Sequence, residues 1–172
     1  MGAFGSRASQ RGFTLLEMLV ALGLIAICLA FATPYFRGMM ENSRVRTTAQ
    51  SIFSAFQKAR SEAVRLNSDV VISFVKTAEG TTGGYEVFLD DGAGTGTAGN
   101  LSRDGSEGSF TGVVTVEQGV DLYEADFDGN TATGFTSRGL PLDGRSGQVA
   151  VKNDRGRNLT IVLSPAGAVR IR

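Results

Sequence analysis

The chain has 172 residues, 17 Lys+Arg against 17 Asp+Glu, one Cys, three Pro and neither His nor Trp. That length suits one compact domain with an appendage, and 42% apolar against 20% charged residues excludes a disordered tail. Without His the usual general base, His-dependent triads and His-ligated metal sites are absent, and a lone Cys28 in an apolar run forms no internal disulfide and stays an unreactive thiol.

In chain order, residues 1–12 (MGAFGSRASQRG) are short and polar, with Arg7 and Arg11 as their charges. The run from Phe13 to Thr33 follows, 21 residues whose one charge is Glu17. As a helix it spans roughly 31 Å, enough to cross a bilayer core. Positive charge before the run sets the N-terminus inside and the remainder across the membrane. A cleaved secretory signal fits less well, because the run exceeds a usual apolar core and no small-x-small cleavage site follows it. A carboxylate five residues into an apolar segment is expensive and needs a reason. Glu17 either snorkels to the interface or pairs with a partner's positive group.

Gly12-Phe13-Thr14-Leu15-Leu16-Glu17 resembles the type III signal of type IV prepilins and of the pseudopilins of type II secretion. The resemblance implies that residues 1–12 are a leader, cut after Gly12 by a prepilin peptidase on the cytoplasmic face, and that the new N-terminal Phe13 is N-methylated. A glycine at the cut lets a protease approach the backbone closely. Pro34 falls at the twenty-second residue after the cut, where pilins carry a helix-kinking proline. Glu17 would then neutralise a neighbouring subunit's N-terminal ammonium inside an apolar helical bundle, where a pair is far stronger than in water. Glu17 and Pro34 are thus the expected assembly residues, and residues 13–34 the transmembrane and assembly half of a helix.

The pattern continues as a helix over 35–68. Val45, Ala49, Ile52, Phe56, Ala59, Ala63 and Leu66 recur at alternating spacings of 4 and 3, a heptad-like apolar stripe, with polar and basic residues between. Phe53 and Val64 are expected to widen it for packing on a sheet. Arg46-Thr47-Thr48-Ala49-Gln50 and Gln57-Lys58-Ala59-Arg60-Ser61-Glu62-Ala63-Val64-Arg65-Leu66-Asn67 resemble the GspH/FimT branch of minor pilins and pseudopilins, whose helix leads directly into the first strand.

Residues 69–172 read as a β-rich globular domain. The runs VVISFV, YEVFL, VVTVEQ, QVAVKN, LTIVLS and AVRIR, separated by Gly, Asn and Asp, predict an antiparallel sheet, with Asn153-Asp154-Arg155-Gly156 as a hairpin loop. The Gly-rich segment Asp90–Gly105 is expected to be a long mobile loop. Residues 69–128 hold two basic and twelve acidic residues, and residues 129–172 seven basic and two acidic, so a net charge of zero hides patches of opposite sign. The expected class is α+β, a type IV pilin-like fold with a long N-terminal helix packed on an antiparallel β-sheet domain.

Candidate sites are few. Asp90-Asp91 and Asp126-Phe127-Asp128-Gly129-Asn130 have oxygen-ligand character, but the second lacks the sixth-position Gly and twelfth-position Glu of a calcium loop, so solvated turns are expected and no metal or cofactor. Gly92-Ala93-Gly94-Thr95-Gly96 lacks the Lys-Ser/Thr of a phosphate loop. Arg155, Arg157, Arg170 and Arg172 are candidate DNA contacts, since FimT-type proteins of some transformable bacteria bind DNA through a C-terminal G-R-x-R motif. Gly167-Ala168-Val169-Arg170-Ile171-Arg172 lacks the first Arg of that motif, and no aromatic is interleaved for base stacking.

The resemblance therefore implies a non-enzymatic minor subunit of a type IV filament, with a prepilin peptidase, other pilins or pseudopilins and the bacterial inner membrane as partners. It implies a single-pass protein, cytoplasmic at its N-terminus and periplasmic in its C-terminal domain. A DNA-binding minor pilin for natural transformation is the alternative.

Overall fold

The computed structural model describes residues 13–79 and 81–172, the side chains of residues 32–34 excepted; Gly12 with the rest of residues 1–12, and the ring of Pro34, lie outside the described residues. A 52-residue helix α1 (Leu15–Leu66) is followed by strands β1 (Val70–Val75), β2 (Gly84–Leu89), β3 (Val114–Thr115), β4 (Val120–Asp126) and β5 (Ala132–Phe135). A short 3₁₀ turn (Leu142–Gly144) then precedes β6 (Gly147–Asn153), β7 (Asn158–Leu163) and β8 (Val169–Ile171). Residues up to Gly38 and residues from Met39 form two compact units.

In the first unit every described side chain from Phe13 to Phe31 is exposed, and the most apolar 18-residue window of α1 has a mean hydropathy of 2.6. Among the described residues α1 is the one helix long and apolar enough to cross a membrane.

In the second unit the stripe on α1 meets the β-strands. Val45, Ala49, Ile52, Phe56, Ala59 and Ala63 are all fully buried, as the alternating spacing predicts. The stripe's flank is different from the one expected. Val64 is 54% exposed, Leu66 is also exposed and Phe53 only half-buried, whereas Ala55 and Thr48 are buried. Small residues on that flank let the backbone of α1 come close to the strands.

The strands form two antiparallel four-stranded sheets, in the orders β3-β2-β1-β5 and β4-β6-β7-β8. Six strands are legible as apolar runs; β4 and β5 are not. In β4, Asp121, Glu124 and Asp126 lower the β-propensity, and an irregularity between Leu122 and Glu124 breaks the alternation at Tyr123. β5 is short and holds Gly134, where a Cβ would collide with the Val70 carbonyl oxygen and lie 2.6 Å from Leu142 Cδ1. Only glycine fits there. Conversely, VVTVEQ shrinks to the two-residue β3, with Val113 68% exposed.

Phe56 stands at the centre of the core. Its ring centroid lies 5.9 Å from Phe74 of β1, 6.1 Å from Phe127 just after β4, and 6.4 Å, edge-on, from Phe135 of β5. Phe74 and Phe127 stack at 5.7 Å. One helical side chain thus touches both sheets.

The segment after β2 corrects the expectation of a mobile loop. Asp90, 3% exposed, accepts hydrogen bonds from the backbone N–H groups of Gly99 (2.7 Å) and Leu101 (3.0 Å). Glu107, also buried, accepts from Gly92 N–H (2.9 Å) and Asp104 N–H (3.0 Å). These bonds offset the desolvation of two carboxylates. They hold Leu101 against a second small cluster of Val71, Phe88, Ala132 and Leu142. The loop is ordered because it covers the back of the first sheet.

Phe56→Ala is expected to cost about 3–5 kcal/mol of stability by opening a cavity among the three rings it touches. Val64→Ala, at an exposed helical site, should stay within about 0.5 kcal/mol. Denaturant unfolding of the chain in detergent, followed by circular dichroism, checks this; equal losses would contradict the packing.

Candidate functional site

The helix start carries the first candidate. Thr14 precedes α1, and its Oγ1 accepts a hydrogen bond from the Glu17 backbone N–H at 3.2 Å. Thr14-Leu15-Leu16-Glu17 therefore has the spacing of an N-terminal capping box, one arm of which is made. The T-x-x-E spacing is the sequence signal for it. A carboxylate in the first turn also suits the positive end of the helix dipole. Phe13 is exposed just ahead of the helix. Glu17 thus lies within one turn of the position that a mature N-terminus would occupy.

At the other end of the exposed stretch, side chains tie α1 to two turns. Arg44 Nη1 donates to the Gln118 carbonyl at 3.0 Å. Asn42 Oδ1 accepts from Asn153 Nδ2 at 3.1 Å, and Glu41 forms an ion pair with Arg155. Asn153 is buried, and its Oδ1 also accepts from the N–H groups of Arg155 (3.2 Å) and Arg157 (3.0 Å), which closes the β6–β7 hairpin at the place its sequence predicts. One asparagine therefore shapes the hairpin and joins it to the helix.

The four candidate phosphate contacts do not form one set. Arg155 is committed to Glu41, which removes a free cation from the group. Arg157 is exposed in the hairpin. Arg170 and Arg172 both line one concavity with Val162, Ser164 and Ala168, so alternation along β8 does put them on one face. Among the described residues neither takes part in an ion pair.

The acidic clusters serve the backbone. Asp91 Oδ1 accepts from Ala93 N–H at 3.1 Å. Asp126 Oδ1 accepts from Gly129 N–H at 2.8 Å, and Asp128 Oδ2 from Ser146 N–H at 3.1 Å. Among the described residues no group of three or more His, Cys, Asp or Glu side chains is placed to hold a metal ion. Asp90 is not the solvated turn residue expected; both of its oxygens are occupied by N–H groups in a buried site.

Asp69, just before β1, carries a displaced pKa. Partial burial raises it above its ordinary value of 3.8, and the nearby carboxylates of Asp90 and Asp143 raise it further, against a hydrogen bond from the Ser137 backbone. The folded protein holds this proton more tightly than the unfolded chain does. The associated stability is therefore complete below the ordinary carboxylate range and is lost as pH rises through the raised value. Asp69→Asn should accordingly unfold at a higher temperature than wild type at pH 7, with the gap closing as pH falls below the ordinary value of 3.8. Thermal unfolding across pH checks it; a gap that widens in acid would contradict the assignment.

Comparisons with known proteins follow the same outline. Residues 48–167 match the family model described as type II transport protein GspH, and residues 7–33 match the prokaryotic N-terminal methylation motif. The chain is 29% identical over 170 residues to the pilin-like protein PilA1 of Thermus thermophilus, spanning 95% of this chain and 99% of that protein. Among solved structures it resembles the type IV minor pilin FimU of Pseudomonas aeruginosa PAO1, with a TM-score of 0.51 and 16% identity over 74% of this chain and 91% of that one. It also resembles the minor pseudopilin EpsH of the type 2 secretion system of Vibrio cholerae, with a TM-score of 0.51 and 14% identity over 75% and 96% of the two chains. At these identities the two structures establish the shared fold.

Proposed function

The chain belongs to the GspH family of type II transport proteins, and from that premise we propose that it is a minor subunit of a type IV filament, a pseudopilus or a pilus, and acts by assembly. The observation that carries the reading is the division of labour along α1. Its first part exposes an apolar run interrupted by one carboxylate, Glu17, while its second part buries a continuous stripe under two sheets. A helix of this kind needs a bilayer or a bundle of like helices around its first part.

In this reading a prepilin peptidase cuts after Gly12 at the cytoplasmic face of the inner membrane and Phe13 becomes the methylated N-terminus. Residues 13–34 hold the subunit in the bilayer, and residues 69–172 form the periplasmic domain. Extraction then passes the exposed helix from lipid into a helical bundle formed with other pilins or pseudopilins. There Glu17 neutralises the ammonium of a neighbour, and an unpaired charge in that bundle would be heavily penalised. Pro34 belongs to this assembly half. The match of residues 7–33 to the N-terminal methylation motif supports the processing step.

Two expected outcomes test the reading. Gly12→Glu should block maturation, because a charged side chain occupies the closest backbone approach of the protease. Intact-mass spectrometry of the protein from membranes with an active prepilin peptidase should find wild type beginning at N-methylated Phe13; wild type still beginning at Met1 would contradict the proposal. Glu17→Val and Glu17→Gln should both insert into the membrane and both fail to co-purify with filaments. Gln keeps the capping-box spacing and loses only the charge, so normal incorporation of Glu17→Gln would reduce Glu17 to a helix cap.

A further inference from the structure

Two four-stranded sheets present four edges, and three of them are either bridged at one residue or only two residues long. The edge at β5 is occupied by an isolated bridge between Phe135 and Pro141. At β4 the Leu122 N–H donates to Thr77 Oγ1 at 3.0 Å and its carbonyl accepts from Thr77 N–H at 2.8 Å. The edge at β3 is two residues long. Among the described residues the fourth edge, β8, pairs with β7 alone.

The register fixes which groups that open edge presents. Thr160 and Arg172 exchange both backbone hydrogen bonds, at 2.9 and 2.8 Å, so they form a hydrogen-bonded pair. In an antiparallel ladder such pairs alternate. Val162 and Arg170 are therefore the next such pair, and Val169 and Ile171, opposite Leu163 and Ile161, turn their N–H and C=O groups away from β7. The side chains sort in the same way. Arg170 and Arg172 project over a concavity of about 210 Å³ floored by Val162, Ser164 and Ala168, whereas Val169 is half-buried on the core side and Ile171 there is 38% exposed.

An edge with free backbone groups, two unpaired cations on one face and apolar side chains on the other is a template for one more strand. We propose that β8 accepts, by strand addition, an extended segment of another polypeptide in which carboxylates alternate with apolar residues. The incoming backbone pairs with the N–H and C=O groups of Val169 and Ile171. Its carboxylates lie across from Arg170 and Arg172, at the cross-strand spacing of about 5 Å where opposite charges attract. Its apolar residues extend the core side beyond Ile171. Charge alone favours any anion; the free backbone groups between the arginines favour a strand over a phosphate backbone. This surface belongs to the C-terminal strand and not to the N-terminal helix, so it stands or falls separately from cleavage after Gly12 and pairing by Glu17.

The test uses the full chain in detergent micelles and a synthetic peptide alternating Val and Glu. The expected result is slowed hydrogen exchange at the Val169 and Ile171 amides on adding the peptide. A Lys-for-Glu peptide, a peptide N-methylated on alternate amides and a single-stranded oligodeoxynucleotide should give no such protection. Changing Arg170→Glu together with Arg172→Glu should invert the preference to the Lys peptide, by roughly tenfold in Kd for two exposed pairs reversed in sign. That inversion keeps the test independent of a simple loss of folding. Protection by none of the probes overturns the proposal. Equal protection by the N-methylated peptide or the oligonucleotide also overturns it, because the site then reads charge and not a strand.

Discussion

Phe56 is the contact on which the globular unit depends. A helix can bury only one stripe, and two sheets need a common surface to avoid leaving one of them half-wet. The Phe56 ring supplies that surface by meeting Phe74 and Phe135 of the first sheet and Phe127 just after β4. Ala49, Ala55, Ala59 and Ala63 around it keep the helix backbone low, so that a single large ring reaches both layers. The ties at Glu41, Asn42 and Arg44 are polar and partly exposed. Exposed pairs of this kind contribute little energy each. They fix where the β6–β7 hairpin and the β3–β4 turn sit against α1, while the aromatic cluster provides the cohesion.

The same helix must also suit a second environment. Its second part is amphipathic, for water on one side and a sheet on the other; its first part is apolar all round and tolerates one carboxylate. No single solvent satisfies both. The sequence pattern changes where the demand changes, from the apolar run ending at Thr33 to the stripe that begins at Val45.

Much of this is legible in the sequence, for reasons that name residues. The 4-3 spacing of Val45 to Ala63 is a helix signal that tertiary packing reinforces, and β1, β6 and β7 are apolar runs long enough to stand out. Asn153 can be read as a turn residue because its side chain bonds the backbone two and four residues on. What stays hidden depends on distant partners. Gly134 weakens β5 as a strand until Val70 and Leu142 are seen pressing on it. Asp90 and Glu107 look like solvated acids until their N–H partners, three to fifteen residues away in sequence, are in place. Arg155 looks free for phosphate because Glu41, its partner, lies on the helix over a hundred residues earlier. The capping-box spacing of Thr14 and Glu17, by contrast, is local and is overshadowed by the family signal beside it.

The central claim is that the chain is built into a filament through its N-terminal helix. Filaments sheared from cells that make the chain, and separated from membranes by density, measure that directly. The chain, beginning at Phe13, is predicted to travel with the filament fraction, and Glu17→Gln to remain with the membranes. Wild-type chain found only in the membrane fraction, while filaments of normal composition assemble without it, would contradict the account.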